Sequence, residues 1–128
     1  MGDWQRYVDH NLIGSGKVNR AAIVGLDGET LAASEGYTLS PEEQRSLIDG
    51  FKDLSRVQAS GLKLAGQKFF VIETIPDRSI YLKKQADGAT VVKTKRCIII
   101  AEYDAPVQGP ESTPIVESLA DDLISAGN

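Results

Sequence analysis

The chain has 128 residues and a mass of 13.8 kDa, which fits one domain with room for a hydrophobic core. Its formal net charge of −4 argues against nucleic acid as the main partner, because phosphate binding needs clustered cations. No apolar run approaches the roughly 20 residues that cross a bilayer, and no signal peptide is recognisable, so we expect a cytoplasmic protein.

The first third of the chain predicts a helix followed by a β-hairpin. Apolar residues recur at helical spacing from Trp4 to Leu12 and predict a helix that ends at the following glycines. Two short apolar runs, over residues 21–26 and 30–33, flank the tight-turn pair Asp27-Gly28. These runs are predicted to pair as antiparallel strands.

A second helix is predicted from its start signals. Ser40 can accept hydrogen bonds from the first backbone N–H groups, Pro41 suits the first helical position, and Glu43 completes a capping box. The predicted apolar face of this helix comprises Leu47, Ile48, Phe51 and Leu54.

From Gly61 onward the pattern changes to the alternation of β-strands. Short connections between the strands favour antiparallel pairing, because parallel neighbours need a long crossover. The predicted turns are Ala65-Gly66, Pro76-Asp77, Asp87-Gly88 and Lys95-Arg96. The predicted strands cover residues 62–64, 69–75, 79–84, 90–95 and 97–103.

A last helix is predicted after Gly109-Pro110, with Ser112 as its N-cap and Pro114 in its first turn. Its apolar stripe comprises Ile115, Val116, Leu119, Ala120, Leu123 and Ile124. The order of helix, hairpin, helix, strand meander and helix predicts a single α+β domain over residues 1–128, in which helices cover an antiparallel sheet.

The sequence offers little for catalysis. The single histidine, His10, and the single cysteine, Cys97, exclude metal sites built on several histidines or thiolates. His10 is expected on the polar side of the first helix, and Cys97 in a buried strand. We therefore expect no enzyme activity, no metal and no cofactor.

Two features suggest binding surfaces instead. Trp4 and Tyr7 lie three positions apart on the first helix, where they either pack on the sheet or form an exposed shelf for a proline-rich ligand. The second feature is a group of cations in the strand-rich half, which either are scattered for solubility or form a patch for an acidic protein surface. These cations are Lys63, Lys68, Arg78, Lys83, Lys84, Lys93, Lys95 and Arg96.

Several segments together resemble the profilin family, in the family's order and over essentially the whole chain. The opening run Trp4-Gln5-x-Tyr7-Val8-Asp9 resembles the family's first signature. Further matching segments are Arg20 to Gly25, Ala32-Ala33-Ser34, Leu39 to Glu43, Gly61 to Lys68, Arg78-Ser79-Ile80-Tyr81 and Leu119-Ala120-Asp121.

The resemblance implies a central antiparallel sheet, with the N- and C-terminal helices on one face and a further helix on the other. It implies a cytoplasmic and cytoskeletal protein that binds monomeric actin and regulates its polymerisation and nucleotide exchange. It also implies binding of proline-rich segments of actin regulators and of phosphoinositides, the latter weak on this acidic chain. By position, the implied actin-binding residues are Lys68, Val71, Glu73, Lys83, Thr113 and Glu117.

The chain departs from the family pattern at both implied sites. At the actin site, Glu73 stands where a basic residue is frequent, and Leu82 replaces a glycine. The implied proline-binding residues are Trp4, Tyr7 and Leu31, with Leu31 in place of a tryptophan. Asp122 replaces a tyrosine, and Asn128 an aromatic residue. We therefore expect a weakened or altered proline groove.

The alternative interpretation is a small-ligand or regulatory sensor domain, since similar layouts of helices and sheet serve unrelated functions. Such a domain would need an enclosed apolar pocket within the sheet.

Overall fold

The computed structural model of the protein describes residues 3–128 and contains a seven-stranded sheet. The strands are β1 (Arg20–Gly25), β2 (Thr30–Ala33), β3 (Leu62–Leu64), β4 (Gln67–Ile75), β5 (Ser79–Lys84), β6 (Asp87–Lys93) and β7 (Cys97–Tyr103). They are hydrogen-bonded in the order β2-β1-β7-β6-β5-β4-β3, and every neighbouring pair is antiparallel. The predicted antiparallel sheet is confirmed.

Four α-helices accompany the sheet: α1 (Asp3–Arg6), α2 (Pro41–Lys52), α3 (Leu54–Ser60) and α4 (Gly109–Ser125). The N-terminal helix continues beyond α1 as a π-helical segment, Tyr7–Leu12, and ends as a 3-10 turn, Ile13–Ser15. Gly16 then adopts a left-handed conformation with φ of 77°, which a glycine adopts without strain.

The terminal helices share one face of the sheet, as the resemblance implies. Strand β7 shows how the faces are divided, because successive side chains of a strand point to opposite sides. Its Ile99 packs in a cluster with Leu12 of the N-terminal helix and with Leu119 and Leu123 of α4. We call this side of the sheet the terminal-helix face.

The other side of the sheet is covered by two short helices instead of the single helix predicted. Ile98 and Ile100 of β7 pack here in a second cluster with Leu47 of α2 and Val57 of α3. We call this side the α2–α3 face. The capping box at Ser40 is present, and α2 begins at Pro41 as predicted.

Two boundaries differ from the prediction because of single residues. The second helix ends at Lys52, since Asp53 leaves the helical conformation (φ −143°, ψ 86°), and its carboxylate accepts a hydrogen bond from the Ser55 hydroxyl at 2.6 Å. Asp87-Gly88 begins β6 instead of forming a turn. The reversal lies two residues earlier, at Gln85-Ala86, where Gln85 has a φ of 58°.

The last helix begins at Gly109, three residues before the predicted N-cap Ser112. Gln108 is its N-cap residue, and the backbone N–H of Gln108 donates to the Glu111 carboxylate at 3.0 Å. Ser112 is fully buried inside the helix, and Pro110 stands in the first turn. The Gly-Pro pair therefore starts α4, because proline at the first positions loses no helical hydrogen bond.

Candidate binding surfaces

Two large apolar side chains of β4 are exposed on the terminal-helix face. Phe70 is 64% exposed and Ile72 is 62% exposed. The pairing of β4 with β5 shifts between Val71 and Glu73, so that Ile72 is an extra residue in β4. Such a β-bulge re-aims side chains at the surface. Ile72 and Glu73 consequently line the same cavity.

Two lysines flank the exposed phenylalanine. Lys68 places its Nζ atom 5.8 Å from the centre of the Phe70 ring, and Lys83 pairs with Phe70 across β4 and β5. Lys83 also places its Nζ atom 5.9 Å from the centre of the Tyr103 ring. An ammonium group near an aromatic face is held there by the ring quadrupole. The result is an apolar patch between two cations.

A surface cavity of about 260 Å³ continues this patch towards the start of α4. Ile72 and Glu73 line its β4 side, and Tyr103 and Thr113 line the opposite side. The hydroxyl groups of Thr113 and Thr90 are 3.0 Å apart, which ties α4 to β6. We define the β4–α4 surface as Lys68, Phe70, Ile72, Glu73, Lys83 and Thr113.

Tyr103 forms the floor of this surface because two glycines leave room for its ring. A Cβ atom on Gly88 would lie 2.3 Å from the Tyr103 hydroxyl oxygen, and one on Gly109 would lie 3.1 Å from it. The ring is almost completely buried, and burial raises the pKa of Tyr103. Any larger residue at Gly88 would displace the ring under Lys83.

Glu117 of α4 is held by hydrogen bonds within the protein. Its carboxylate accepts from Arg78 Nε at 2.9 Å, from the Ser79 hydroxyl at 3.1 Å and from the Tyr81 hydroxyl at 2.5 Å. Burial, together with the bond to Glu117, raises the pKa of Tyr81. This network fixes α4 against β5, and about a quarter of the Glu117 side chain is exposed.

The structure brings most of the actin-site residues implied by the resemblance to one side of the sheet. Four of them, Lys68, Glu73, Lys83 and Thr113, belong to the β4–α4 surface, and Glu117 lies beside it. Val71 is separated from them, because it packs against the cluster on the α2–α3 face.

Sequence reasoning did not single out Phe70, Ile72 or Tyr103. The run from Phe69 to Ile72 was interpreted only as a strand. Alternation would have placed Phe70 opposite the buried Phe69. The exposure of Ile72 depends on a bulge, for which the sequence carries no local signal.

The eight cations do not form one patch. Lys93 pairs with Asp77 at 3.0 Å, and Arg78 pairs with Glu117. Lys84 lines a cavity beside Tyr37, whose ring belongs to the cluster on the α2–α3 face. Lys68 and Lys83 are the cations of the β4–α4 surface.

The aromatic residues of the N-terminal helix border the terminal-helix face. The rings of Trp4 and Tyr7 meet edge to face, with centroids 6.0 Å apart and an interplanar angle of 75°. Both are half-buried and pack against the cluster there, as do Leu31 of β2 and Ile115 of α4. Trp4 and Tyr7 therefore pack on the sheet and also remain partly exposed.

A groove of about 300 Å³ separates the N-terminal helix from α4. Its apolar lining comes from Pro114, Ile115 and Leu119, and Asn11 lines it from the other helix. Asp122 lies at this groove and is exposed. We call it the terminal-helix groove. The lining residues are Asn11, Ser15, Pro114, Ile115, Ser118, Leu119 and Asp122.

The backbone of Asn128 is hydrogen-bonded to the turn between β6 and β7. Its carbonyl oxygen accepts from the Arg96 backbone N–H at 2.6 Å and from the Thr94 hydroxyl at 2.9 Å. Asn128 therefore lies against the turn between β6 and β7.

A cavity of about 420 Å³ lies beside a charged network. Arg20 binds Asp104 through both terminal nitrogens and lowers the pKa of that carboxyl group by hydrogen bonding. The buried Glu102 accepts from Arg20 and from the Tyr37 hydroxyl, and burial raises the pKa of Tyr37. This polar lining differs from the enclosed apolar pocket that a sensor domain would need.

The single histidine and the single cysteine lie where the sequence predicts them. His10 is exposed, and Cys97 is buried, which raises the pKa of its thiol. Within residues 3–128, no three metal-binding side chains come together. In the same part of the chain, no helix has both the length and the apolar character of a membrane span.

Comparison with protein families matches residues 2–128 to the profilin model. The chain is 43% identical to profilin-2 of Acanthamoeba castellanii over 97% of its length and 98% of the relative. It is 44% identical to the profilin of Schizosaccharomyces pombe, with the same coverage of both chains.

Solved structures show the same relationship. The crystal structure of Acanthamoeba castellanii profilin II superposes with a TM-score of 0.94 at 42% identity, covering 98% of this chain and 99% of the other. Mouse profilin IIa, solved in complex with a double repeat from the FH1 domain of mDia1, superposes with a TM-score of 0.81 at 26% identity and full coverage of both chains.

Proposed function

This chain belongs to the profilin family, and we propose that it binds monomeric actin through the β4–α4 surface and regulates actin polymerisation and nucleotide exchange. In this role the protein would be a non-enzymatic regulator that acts in the cytoplasm and at the cytoskeleton.

The observation that carries this proposal is the exposure of Ile72 and of Phe70, which lies between two lysines. Large apolar side chains at the centre of an interface commonly supply most of its binding energy, while charges around them steer association. Lys68 and Lys83 suit an acidic partner surface, and the adjacent cavity offers space for a partner side chain.

Five of the six residues implied by the resemblance support this location. Lys68, Glu73, Lys83 and Thr113 would contact actin directly. Glu117 would act mainly by holding α4 against β5, since its carboxylate already accepts bonds from Arg78, Ser79 and Tyr81. Val71 would contribute through packing beneath the surface.

A second proposed partner is a proline-rich segment bound at Trp4, Tyr7 and Leu31. This placement is supported by the edge-to-face aromatic pair, which packs against the same buried cluster as Leu31. The FH1 repeat bound by mouse profilin IIa supports the chemical class of the ligand. The binding is proposed to be weak, because Leu31 lacks the ring and N–H donor of a tryptophan.

Phosphoinositide binding is proposed to be weak and sensitive to salt. The net charge of −4 opposes approach to an anionic membrane. Two of the eight cations, Arg78 and Lys93, are also already paired with acidic side chains.

Titration of pyrene-labelled actin tests the main proposal. The protein should slow spontaneous actin assembly and bind actin one to one. Lys83→Glu should weaken binding at least about tenfold, because it places like charges in contact. Arg45→Glu is the matched control, since Arg45 is exposed on α2 at the opposite face and the change in net charge is the same. Equal affinities of both variants and the parent would reject the assigned surface, and unaltered actin assembly with the parent would reject the function.

A further inference from the structure

Helix α4 carries four carboxylates, and three of them are neutralised by cations from elsewhere in the chain. Glu111 pairs with Lys17 at 3.0 Å, and Arg78 pairs with both Glu117 and Asp121. The fourth, Asp122, forms no ion pair with any side chain of residues 3–128. It is therefore an uncompensated charge.

The position of Asp122 makes this charge unfavourable for the helix itself. It lies in the last turn of α4, where the backbone carbonyl groups already present partial negative charge. The last turn of α4 holds no basic residue that would offset this charge. Within residues 3–128, no ion pair offsets the unfavourable position of this carboxylate.

The same carboxylate lies at the apolar terminal-helix groove. Ile115, Leu119 and Asp122 recur at helical spacing along one stripe of α4 and line this groove together. No cation lines it. Lys17, just after the N-terminal helix, pairs with Glu111 at the start of α4, so the two helices run antiparallel and the Asp122 end of α4 lies towards Tyr7 and Trp4.

We propose that Asp122 makes this groove select proline-rich segments that carry a lysine or arginine beside the prolines. This inference rests on the proposed proline-binding function and adds the charge of the ligand to it. The prolines would stack on Trp4 and Tyr7, and the basic side chain would reach Asp122 in the adjoining groove. Because Asp122 has no ion pair within residues 3–128, binding a basic ligand breaks no existing ion pair and forms a new one.

Titration with three matched oligoproline peptides tests the proposal, with lysine, glutamine or glutamate at both ends. Trp4 is the only tryptophan and reports binding by its fluorescence. The lysine peptide should bind about two- to fivefold more tightly than the glutamine peptide, as expected for one exposed ion pair, and the glutamate peptide should bind least tightly. The preference should decrease as salt is raised.

Two variants identify the responsible carboxylate. Asp122→Asn keeps the size of the side chain and should abolish the preference among the peptides. Glu42→Gln removes one charge from exposed α2 on the opposite face and should retain it. Circular dichroism should show both variants folded.

The outcomes separate this inference from the proposed function. Equal binding of the three peptides by the parent, or a preference that persists in Asp122→Asn, would overturn charge selection while leaving proline binding intact. Failure of all three peptides to bind, checked by calorimetry, would overturn both.

Discussion

The Glu117 carboxylate accepts two hydrogen bonds from the Arg78 guanidinium, at 2.9 Å from Nε and 2.5 Å from Nη2, although the residues lie 39 positions apart. Arg78 belongs to the turn between β4 and β5, and Glu117 to the middle of α4. Tyr81 donates to the same carboxylate. The helix that supplies Thr113 to the β4–α4 surface is thus fixed against the strands that supply the rest of that surface.

Removing this carboxylate should destabilise the fold. We expect Glu117→Ala to lower the free energy of unfolding by about 1–2 kcal/mol, because Arg78 and Tyr81 lose their acceptor while water still reaches part of the site. Denaturant unfolding measures this change. Asp121→Asn is the matched control, because Asp121 also contacts Arg78 but its side chain is 69% exposed. Equal losses for the two variants would contradict the role assigned to Glu117.

The exposed apolar side chain of Ile72 should matter for binding and little for stability. Ile72→Ala is expected to weaken actin binding about tenfold or more, with the free energy of unfolding unchanged within about 0.5 kcal/mol. Ile75→Ala, farther along β4 and 40% exposed, provides the comparison. Actin affinity measured by pyrene fluorescence should fall much further for Ile72→Ala. A larger loss for Ile75→Ala would mean that the contact is centred elsewhere on β4.

Alkaline pH should unfold the protein through its buried tyrosines. Burial raises the pKa of Tyr37, Tyr81 and Tyr103 above the ordinary value of 10.0. Above about pH 10 the unfolded chain therefore holds fewer protons than the folded chain, so stability is complete below that pH and decreases as pH rises.

Ultraviolet absorbance of tyrosinate and circular dichroism should accordingly change together during an alkaline titration. Tyr37→Phe should reduce the loss of stability more than Tyr81→Phe does, because Tyr37 is only 4% exposed. Full ionisation of the three tyrosines in a protein that remains folded would contradict this prediction.

Restoring an aromatic ring at residue 31 should strengthen oligoproline binding. Leu31 borders the same apolar cluster as Trp4 and Tyr7, so Leu31→Trp would extend the shelf with a ring and an N–H donor. We expect a gain of about tenfold in affinity, measured by calorimetry. Leu31→Phe, which adds a ring without a donor, should gain less. An unchanged affinity in Leu31→Trp would show that residue 31 lies outside the groove.

The strands could be predicted because their signals are local, whereas the placement of the helices on the two faces follows only from the family resemblance. Asp27-Gly28 marks the first hairpin, and the alternation along β7 separates its two buried faces. The sequence does not predict the break between α2 and α3, because the helical spacing of apolar residues continues through Leu54. The break depends on the non-helical backbone conformation of Asp53 alone.

The binding surface could be predicted less completely, since its shape depends on pairing between distant segments. The exposure of Ile72 follows from the register of β4 on β5. The Glu117 carboxylate is held within the protein because it contacts Arg78. Neither relationship has a local sequence signature. The charges of Lys68 and Lys83, in contrast, can be read from the sequence itself.

The bulge in β4 also affects the tendency of the protein to aggregate when no partner is bound. β3 pairs only with Gln67–Phe69, so the rest of β4 lies along the edge of the sheet, with Phe70 and Ile72 exposed. If such an apolar edge were flat and regular, it would be a template for fibril-like stacking of further chains. The extra residue at Ile72 interrupts the regular spacing of the backbone donors and acceptors, and Glu73 adds a charge next to it. The irregularity that presents Ile72 to a partner therefore also opposes aggregation along the same strand.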